Sequence, residues 1–228
     1  MAILLQRYLF LATPRTASNS LFYMLRELGG RDIGDHHDIP VSAPAGTRIV
    51  AVVRNHFDWF VSSWIKTTWR SPHRSLQTMP FSAWLERIHE PRSPLAEFTF
   101  PGYVTLNGGG YLYEPLWERC DALLRYEELA EELRLLLDQP SISLPRYNTT
   151  PHKRDYRCYY DGPLRREIEG RYHDELQELG YSFDNGRPWE TRDDCKPLTG
   201  GGLFDASNQR RRGLREYHNW PNRHNNPA

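Results

Sequence analysis

A run of small and β-branched residues, Arg48-Ile-Val-Ala-Val-Val53, constrains the fold of this 228-residue chain more than any other stretch. The run does not alternate between apolar and polar residues, which is typical of a strand buried on both faces of a parallel sheet. Arg54-Asn55-His56 ends it, with Asp58 in the first turn of a predicted helix. Five apolar residues form the helical stripe: Phe57, Phe60, Val61, Trp64 and Ile65. The sequence therefore predicts a strand–loop–helix unit.

The same order of features occurs at the start of the chain. Tyr8 to Thr13 is an apolar, aromatic-rich run with strand character, and the polar stretch 14–20 follows it. Ser18 or Asn19 is predicted to cap the next helix, and Gly29-Gly30 is predicted to end it. Its apolar residues recur at helical spacing: Leu21, Met24, Leu25 and Leu28. Because ligands of open parallel sheets bind where strand ends meet helix starts, the two units predict one shared site.

Further elements complete an α/β pattern. A third strand is predicted over 121–126 with a helix over 127–138, and a long helix is predicted from 163 to 180. This order favours an α/β fold with a mostly parallel sheet. The length fits one domain over 1–185. A polar, Gly- and Pro-rich tail over 186–228 is expected to be weakly packed.

The stretch from Pro14 to Ser20 has the features of an anion site. The first N–H groups of a helix lack intrahelical partners, and the helix dipole places partial positive charge there, so phosphate or sulfate binds readily. Arg15 adds a cation, and three hydroxyls can donate hydrogen bonds: Thr16, Ser18 and Ser20. The alternative is an ordinary strand-to-helix turn, since the Walker A pattern is absent.

The second loop supplies a similar pair of groups. Arg54 ends a predicted strand and Ser62 lies eight positions later. Together they can hold one phosphate, with the guanidinium as cation and the hydroxyl as donor. The alternative is that Arg54 pairs with Asp58 and that Ser62 only fills a helix surface.

The ordered set of motifs resembles a known family. Pro14-Arg-Thr-Ala-Ser-Asn-Ser20 resembles the 5′-phosphosulfate loop of sulfotransferases that use 3′-phosphoadenosine 5′-phosphosulfate (PAPS). Val53-Arg-Asn-His-Phe-Asp-Trp-Phe-Val-Ser-Ser-Trp64 is similar to their 3′-phosphate motif. Leu124 to Leu129 and Tyr156 to Tyr181 resemble the later parts of the family. The likeness covers roughly residues 7–183 and is strongest to the carbohydrate-type and the bacterial or viral branches.

The resemblance implies a fold and a set of binding roles. The fold is a three-layer α/β sandwich similar to nucleotide kinases. Residues 15–20 (Arg15, Thr16, Ala17, Ser18, Asn19 and Ser20) would hold the 5′-phosphosulfate, with Arg15 also catalytic, and Arg54 with Ser62 would hold the 3′-phosphate. The family commonly has Lys at the position of Arg15 and Gly at that of Ala17. Because Ala tolerates a positive φ poorly, a left-handed conformation at Ala17 would be strained.

Two adjacent histidines lie between the first helix and the second strand. In related sulfotransferases a His or Glu near this point is the base for the acceptor hydroxyl, so His36 or His37 is predicted to take that role; a histidine pKa near ~6.5 suits it. Asp35 and Asp38 could orient an imidazole or act as the base. The alternatives are two solvated loop histidines or, less favoured, a metal site; we expect no metal, since no further ligands fall at a recognisable spacing.

Three other side chains are candidates for the nucleotide or acceptor. His152 and Lys153 can reach either one from the loop before the last helix, although a solvated basic turn explains them nearly as well. Tyr126 can stack on adenine or a sugar, whereas core packing is the alternative for most of the tyrosines.

Composition indicates which partners the protein binds and in which cellular compartment it functions. Lys+Arg and Asp+Glu both number 29, which argues against a general nucleic-acid binder. The three cysteines have no CxxC spacing, so we expect reduced thiols rather than a disulfide framework. No apolar run approaches the ~20 residues needed to cross a membrane. We therefore expect a cytoplasmic protein.

The predicted activity is transfer of a sulfuryl group from PAPS to a hydroxyl on a glycan or small molecule, releasing 3′-phosphoadenosine 5′-phosphate (PAP). Two alternatives stay open. One is a nucleotide-dependent kinase, against which the missing Walker Lys-Ser/Thr argues. The other is a non-catalytic protein that keeps the nucleotide pocket.

Overall fold

The computed structural model of the protein describes residues 2–33, 44–71, 73–89, 120–147 and 154–185. The predicted tail over 186–228, and four of the predicted site residues, lie outside these ranges: His36, His37, His152 and Lys153.

The described residues form an α/β protein. The five strands are β1 (Ala2–Leu5), β2 (Tyr8–Leu11), β3 (Arg31–Ile33), β4 (Arg48–Val53) and β5 (Ala122–Arg125). The described α-helices are α1 (Ser18–Glu27), α2 (His56–Arg70), α3 (Arg74–Gln77), α4 (Phe81–His89), α5 (Leu129–Leu137), α6 (Gly162–Arg171) and α7 (His173–Glu178). Two 3₁₀ turns complete the set, Tyr126–Glu128 and Tyr156–Tyr159.

The sheet is mixed, with the strand order β3-β1-β2-β4-β5. Strands β2, β4 and β5 run parallel, as predicted, so their carboxyl ends meet at one edge. Strand β1 is antiparallel to both of its neighbours, so the prediction of a mostly parallel sheet holds for the centre and is wrong at β1. A two-residue turn joins β1 to β2, and Gln6 has a φ of 53° there. Because Gly or Asn usually takes that conformation, a hairpin could not be predicted from a turn that contains Gln6.

The central strands are buried on both faces. Tyr8, Phe10 and Val52 face a cluster that includes Leu25 of α1 and Leu133 of α5. The residues between them along the strands are also buried, which explains why the strand sequence does not alternate: Leu9, Leu11, Ala51 and Val53.

Helix α2 belongs to a second, aromatic-rich cluster. Its ring contacts run from Phe57 to Phe183 (5.0 Å between centroids), from Phe60 to Tyr172 (5.3 Å) and from Trp64 to Phe81 (5.6 Å). The long C-terminal helix was predicted as one piece, but it breaks between α6 and α7 at Tyr172. The ring of Tyr172 is fully buried.

The cysteine prediction is only partly right. Cys120 keeps a reduced thiol, whereas Cys158 is disulfide-bonded, so the expectation of reduced thiols is wrong at Cys158. None of the helices in the described ranges has the length and apolar character needed to cross a membrane.

Candidate functional site

The loop between β2 and α1 is held in a strained conformation. Arg15 has a φ of 63° and Ala17 a φ of 60°, both in the left-handed region that favours glycine. Each such residue costs about 1–2 kcal/mol. Ala17 is the N-cap of α1, and no described side chain caps this helix end, so the prediction that Ser18 or Asn19 caps it is wrong. Strained backbone persists where the surroundings impose it, which is common at functional sites.

Buried hydrogen bonds hold this strained loop in place. The hydroxyl of Thr13 donates to the carbonyl of Val52 at 2.7 Å, which ties the end of β2 to β4. The hydroxyl of Thr16 donates to the Thr13 carbonyl at 2.7 Å. The indole N–H of Trp59 on α2 donates to the carbonyl of Pro14 at 3.0 Å. Thr16 is therefore a structural residue of the loop, turned inward, and not an exposed donor.

The two loops meet through Arg15. Its Nε and Nη2 donate to the Oγ of Ser62 at 3.2 and 2.7 Å, and Nη2 also donates to the Ser62 carbonyl at 3.2 Å. The sequence predicted that Ser62 works with Arg54, but in this structure Ser62 is bonded to Arg15. The prediction that the two strand–loop–helix units share one site is consistent with this contact.

Arg54 is buried beside the same loop, at 5% exposure. Its Nη2 and Nε donate to Oδ2 of Asp58 at 2.5 and 2.9 Å, so the pairing foreseen as the alternative is present. Its Nη1 donates to the carbonyl of Arg15 at 2.6 Å. The guanidinium also lies over the ring of Tyr126, 4.1 Å from the centroid. Arg54 thus joins the ends of β2, β4 and β5.

The remaining loop residues lie at the start of α1. Ser18 is half-buried and Asn19 is exposed. Ser20 is buried, and its hydroxyl accepts a hydrogen bond from the backbone N–H of Tyr147 at 3.1 Å. The first N–H groups of an α-helix have no intrahelical acceptor. In α1 they belong to the loop residues predicted to bind an anion.

A hydrogen-bonded group that was not predicted from the sequence lies at the carboxyl ends of β4 and β5. Glu127 accepts from the backbone N–H of Asn55 at 3.0 Å and from the hydroxyl of Tyr181 at 2.7 Å. The side chain of Asn55 caps α2 through the N–H of Phe57 at 3.0 Å. Asn55 could have been identified from the sequence, because it is a typical cap residue that precedes an apolar helical stripe. Glu127 could not, because its only notable feature in the sequence is that it follows a predicted strand.

Two histidines, His56 and His89, belong to the aromatic cluster around α2. Burial lowers the pKa of His56, the first residue of α2, to about 4. Burial, with a smaller contribution from Arg171, lowers the pKa of His89 to about 4 as well. The Nε2 of His89 lies 2.7 Å from the hydroxyl of Tyr172. Both imidazoles are therefore neutral at pH 7.

Comparison with protein-family models, with curated proteins and with solved structures gives no match to this chain. In the described ranges, no three His, Cys, Asp or Glu side chains form a group that could hold a metal ion. The two histidines considered for a metal, His36 and His37, lie outside those ranges.

Replacing Ala17 by Gly should stabilise the fold. Gly relieves the left-handed strain, and the lost methyl contact and the freer unfolded chain offset part of that gain, leaving roughly 0.5–1 kcal/mol. A melting curve should shift upward by about 1–4 °C for a domain of this size. Ala12→Gly is the matched control, because Ala12 packs against the same core cluster but has no positive φ. The Ala12→Gly control should lower the melting temperature. A similar decrease for Ala17→Gly would contradict the claim that the left-handed φ of Ala17 is strained.

Proposed function

We propose that this protein binds PAPS and transfers its sulfuryl group to a hydroxyl on a glycan or small molecule. The observation that carries the proposal is the convergence of Arg15, Arg54 and Ser62, from two strand–helix junctions, at the carboxyl edge of the sheet. Two guanidinium groups and a helix N-terminus at one edge suit a ligand with two anionic groups. The same proposal includes the fold: we propose the three-layer arrangement of sulfotransferases, which is similar to that of nucleotide kinases.

The contacts of Ser62 and Arg54 are compatible with a bound 3′-phosphate. The Ser62 hydroxyl accepts from Arg15, and a hydroxyl can at the same time donate its own hydrogen to a phosphate oxygen. Three of the five N–H groups of Arg54 donate to Asp58 and to the Arg15 carbonyl. The other two have no partner among the described residues and can donate to the ligand, while Asp58 keeps the guanidinium in place.

Catalysis in this scheme rests on alignment and charge. The acceptor oxygen attacks sulfur, the bond from sulfur to the bridging oxygen of the 5′-phosphate breaks, and PAP leaves. Arg15 and the N–H groups at the start of α1 stabilise the charge that grows on the bridging oxygen. His36 or His37 takes the proton of the acceptor hydroxyl. His152, Lys153 and Tyr126 are further contacts proposed for the nucleotide.

A thermal-shift comparison of three nucleotides tests this proposal without knowledge of the acceptor. At a fixed ligand concentration, a ligand that binds only the folded state raises the melting temperature more the more tightly it binds. PAP should give a larger shift than its 2′-phosphate isomer or ATP. Equal shifts for PAP and its isomer would remove the 3′-phosphate assignment, and a larger, Mg-dependent shift with ATP would favour a kinase. Binding of PAP without transfer to any acceptor in a broad panel would favour a non-catalytic protein.

Replacing both His36 and His37 by Ala should lower turnover by about 10²–10⁴-fold, the usual contribution of a general base. The dissociation constant for PAP should change little, because neither imidazole is proposed to hold the nucleotide. Steady-state turnover and PAP titration of the same preparation separate the two effects. Unchanged turnover would exclude both histidines as the base. A matched control is His73→Ala, since His73 is exposed and far along the chain from this segment.

A further inference from the structure

The carboxylate of Glu127 connects two segments that meet beside Arg54. Oε1 accepts the backbone N–H of Asn55 at 3.0 Å, and Oε2 accepts the hydroxyl of Tyr181 at 2.7 Å. Each carboxylate oxygen therefore accepts one hydrogen bond, one from the segment after β4 and one from the segment after α7. The Tyr181 hydroxyl is also 3.4 Å from the carbonyl of Val53, the last residue of β4. The carboxylate therefore spans the end of β4 and the segment that follows α7.

The N–H that Glu127 binds belongs to the peptide directly after Arg54. At this point β4 has ended and α2 has not begun, so neither element offers a regular acceptor, and a part-buried N–H needs one. Asn55 itself is fixed from several directions. Its Oδ1 accepts from Phe57 and its Nδ2 donates to the carbonyl of Ser182 at 2.7 Å.

Glu127 and Tyr126 act on Arg54 from the same 3₁₀ turn. Tyr126 covers the guanidinium face, and the next residue holds the peptide that follows Arg54. One short turn after β5 therefore fixes both the side chain and the backbone of the arginine at the end of β4. Such control over orientation matters most where a cation must meet one position of a ligand and not its neighbour.

We infer that Glu127 is a positioning residue that sets the preference for a 3′-phosphate over a 2′-phosphate by fixing the peptide after Arg54. This inference rests on the proposed function. Glu127 is not proposed to touch the ligand: its oxygens are bonded to Asn55 and Tyr181. Its removal should therefore change where the guanidinium sits and leave its charge unchanged. Loss of positional selectivity, with general anion affinity kept, is the expected signature.

Three variants test this role: Glu127→Ala, Glu127→Gln and Glu128→Ala. In Glu127→Ala the PAP affinity should fall about tenfold, while the affinity for the 2′-isomer stays within twofold, so the ratio between the two isomers collapses. Gln should retain the ratio, because its amide oxygen can accept from Asn55 and its NH₂ can donate to the Tyr181 oxygen. Glu128 is exposed in the same turn and serves as the matched control, which should leave the ratio unchanged.

Amide hydrogen exchange at Asn55 gives a second readout that needs no ligand. Its N–H should be protected in the wild-type protein and in Glu127→Gln, and should exchange at least tenfold faster in Glu127→Ala. An intact isomer ratio in Glu127→Ala, with a wild-type protein that prefers PAP, would overturn this inference alone. A wild-type protein that does not distinguish the isomers would overturn the proposed function, and the inference with it. If Glu127→Ala does not fold, the test falls to Glu127→Gln. The positioning role of Glu127 would be overturned if this variant lost the preference for PAP over its 2′-isomer while the N–H of Asn55 stayed protected.

Discussion

Replacing Arg54 by Gln together with Asp58 by Asn should weaken PAP binding by about 10–100-fold and leave adenosine 5′-phosphate binding within threefold. The loss corresponds to charge-assisted hydrogen bonds to one phosphate, which are worth about 1.5–3 kcal/mol. Both partners are changed because removal of Arg54 alone would leave the buried carboxylate of Asp58 without its cation, a change that costs about 3–5 kcal/mol in stability. Calorimetric titration of both nucleotides gives the two affinities.

A second pair with the same spacing provides the control. Arg165 and Glu169 form an i,i+4 ion pair at 2.7 Å on α6, part-exposed to solvent. Arg165→Gln with Glu169→Gln should leave both nucleotide affinities unchanged, because exposed pairs contribute little and no loop of the site includes them. If the double variant Arg54→Gln, Asp58→Asn lost affinity for PAP and for adenosine 5′-phosphate equally, Arg54 would not recognise the 3′-phosphate.

The fold could be predicted where apolar patterns decide the structure. Strands β2, β4 and β5 and helices α1 and α5 lie within a few residues of their predicted bounds, and α2 begins where its apolar stripe predicts a helix, since each buries a stripe or run that is visible in the sequence. The missed elements are short or lack a turn signal. Strand β3 has three residues and helix α3 has four. The break at Tyr172 depends on ring packing with Phe60, a contact between segments more than a hundred residues apart.

The proximity of the two site loops could be predicted from the sequence, but the hydrogen-bond partners of their side chains could not. The convergence follows from parallel strands whose ends share an edge. The partners depend on side-chain geometry: Arg15 reaches Ser62, while Arg54 turns to Asp58 and the Arg15 carbonyl. Spacing alone could not distinguish an arginine that binds Ser62 from one that binds Asp58. Ala17 itself gives no positive-φ signal, and only the Gly that the resembling family has at this position pointed to its left-handed φ.

The fold should lose stability as pH falls from 7 to 5, with about 2 kcal/mol of the loss due to His56. Burial lowers the pKa of His56 from its ordinary value of 6.5 to about 4 in the folded protein. Between these values the unfolded chain binds the proton and the folded chain does not, so acid favours unfolding. The stabilisation is complete above pH 6.5 and declines down to about pH 4. His89, whose pKa is lowered to about 4 as well, acts in the same direction.

Replacing His56 by Phe isolates this contribution. Phe keeps an aromatic ring against Tyr172, whose centroid lies 5.3 Å from that of His56, and it removes the titrating group. Urea unfolding at pH 7 and pH 5 should show a loss that is about 2 kcal/mol smaller in His56→Phe than in the wild-type protein. The exposed His173 gives the control, since His173→Gln should retain the wild-type loss. Equal losses in all three proteins would show that His56 titrates in the folded state as it does in the unfolded chain.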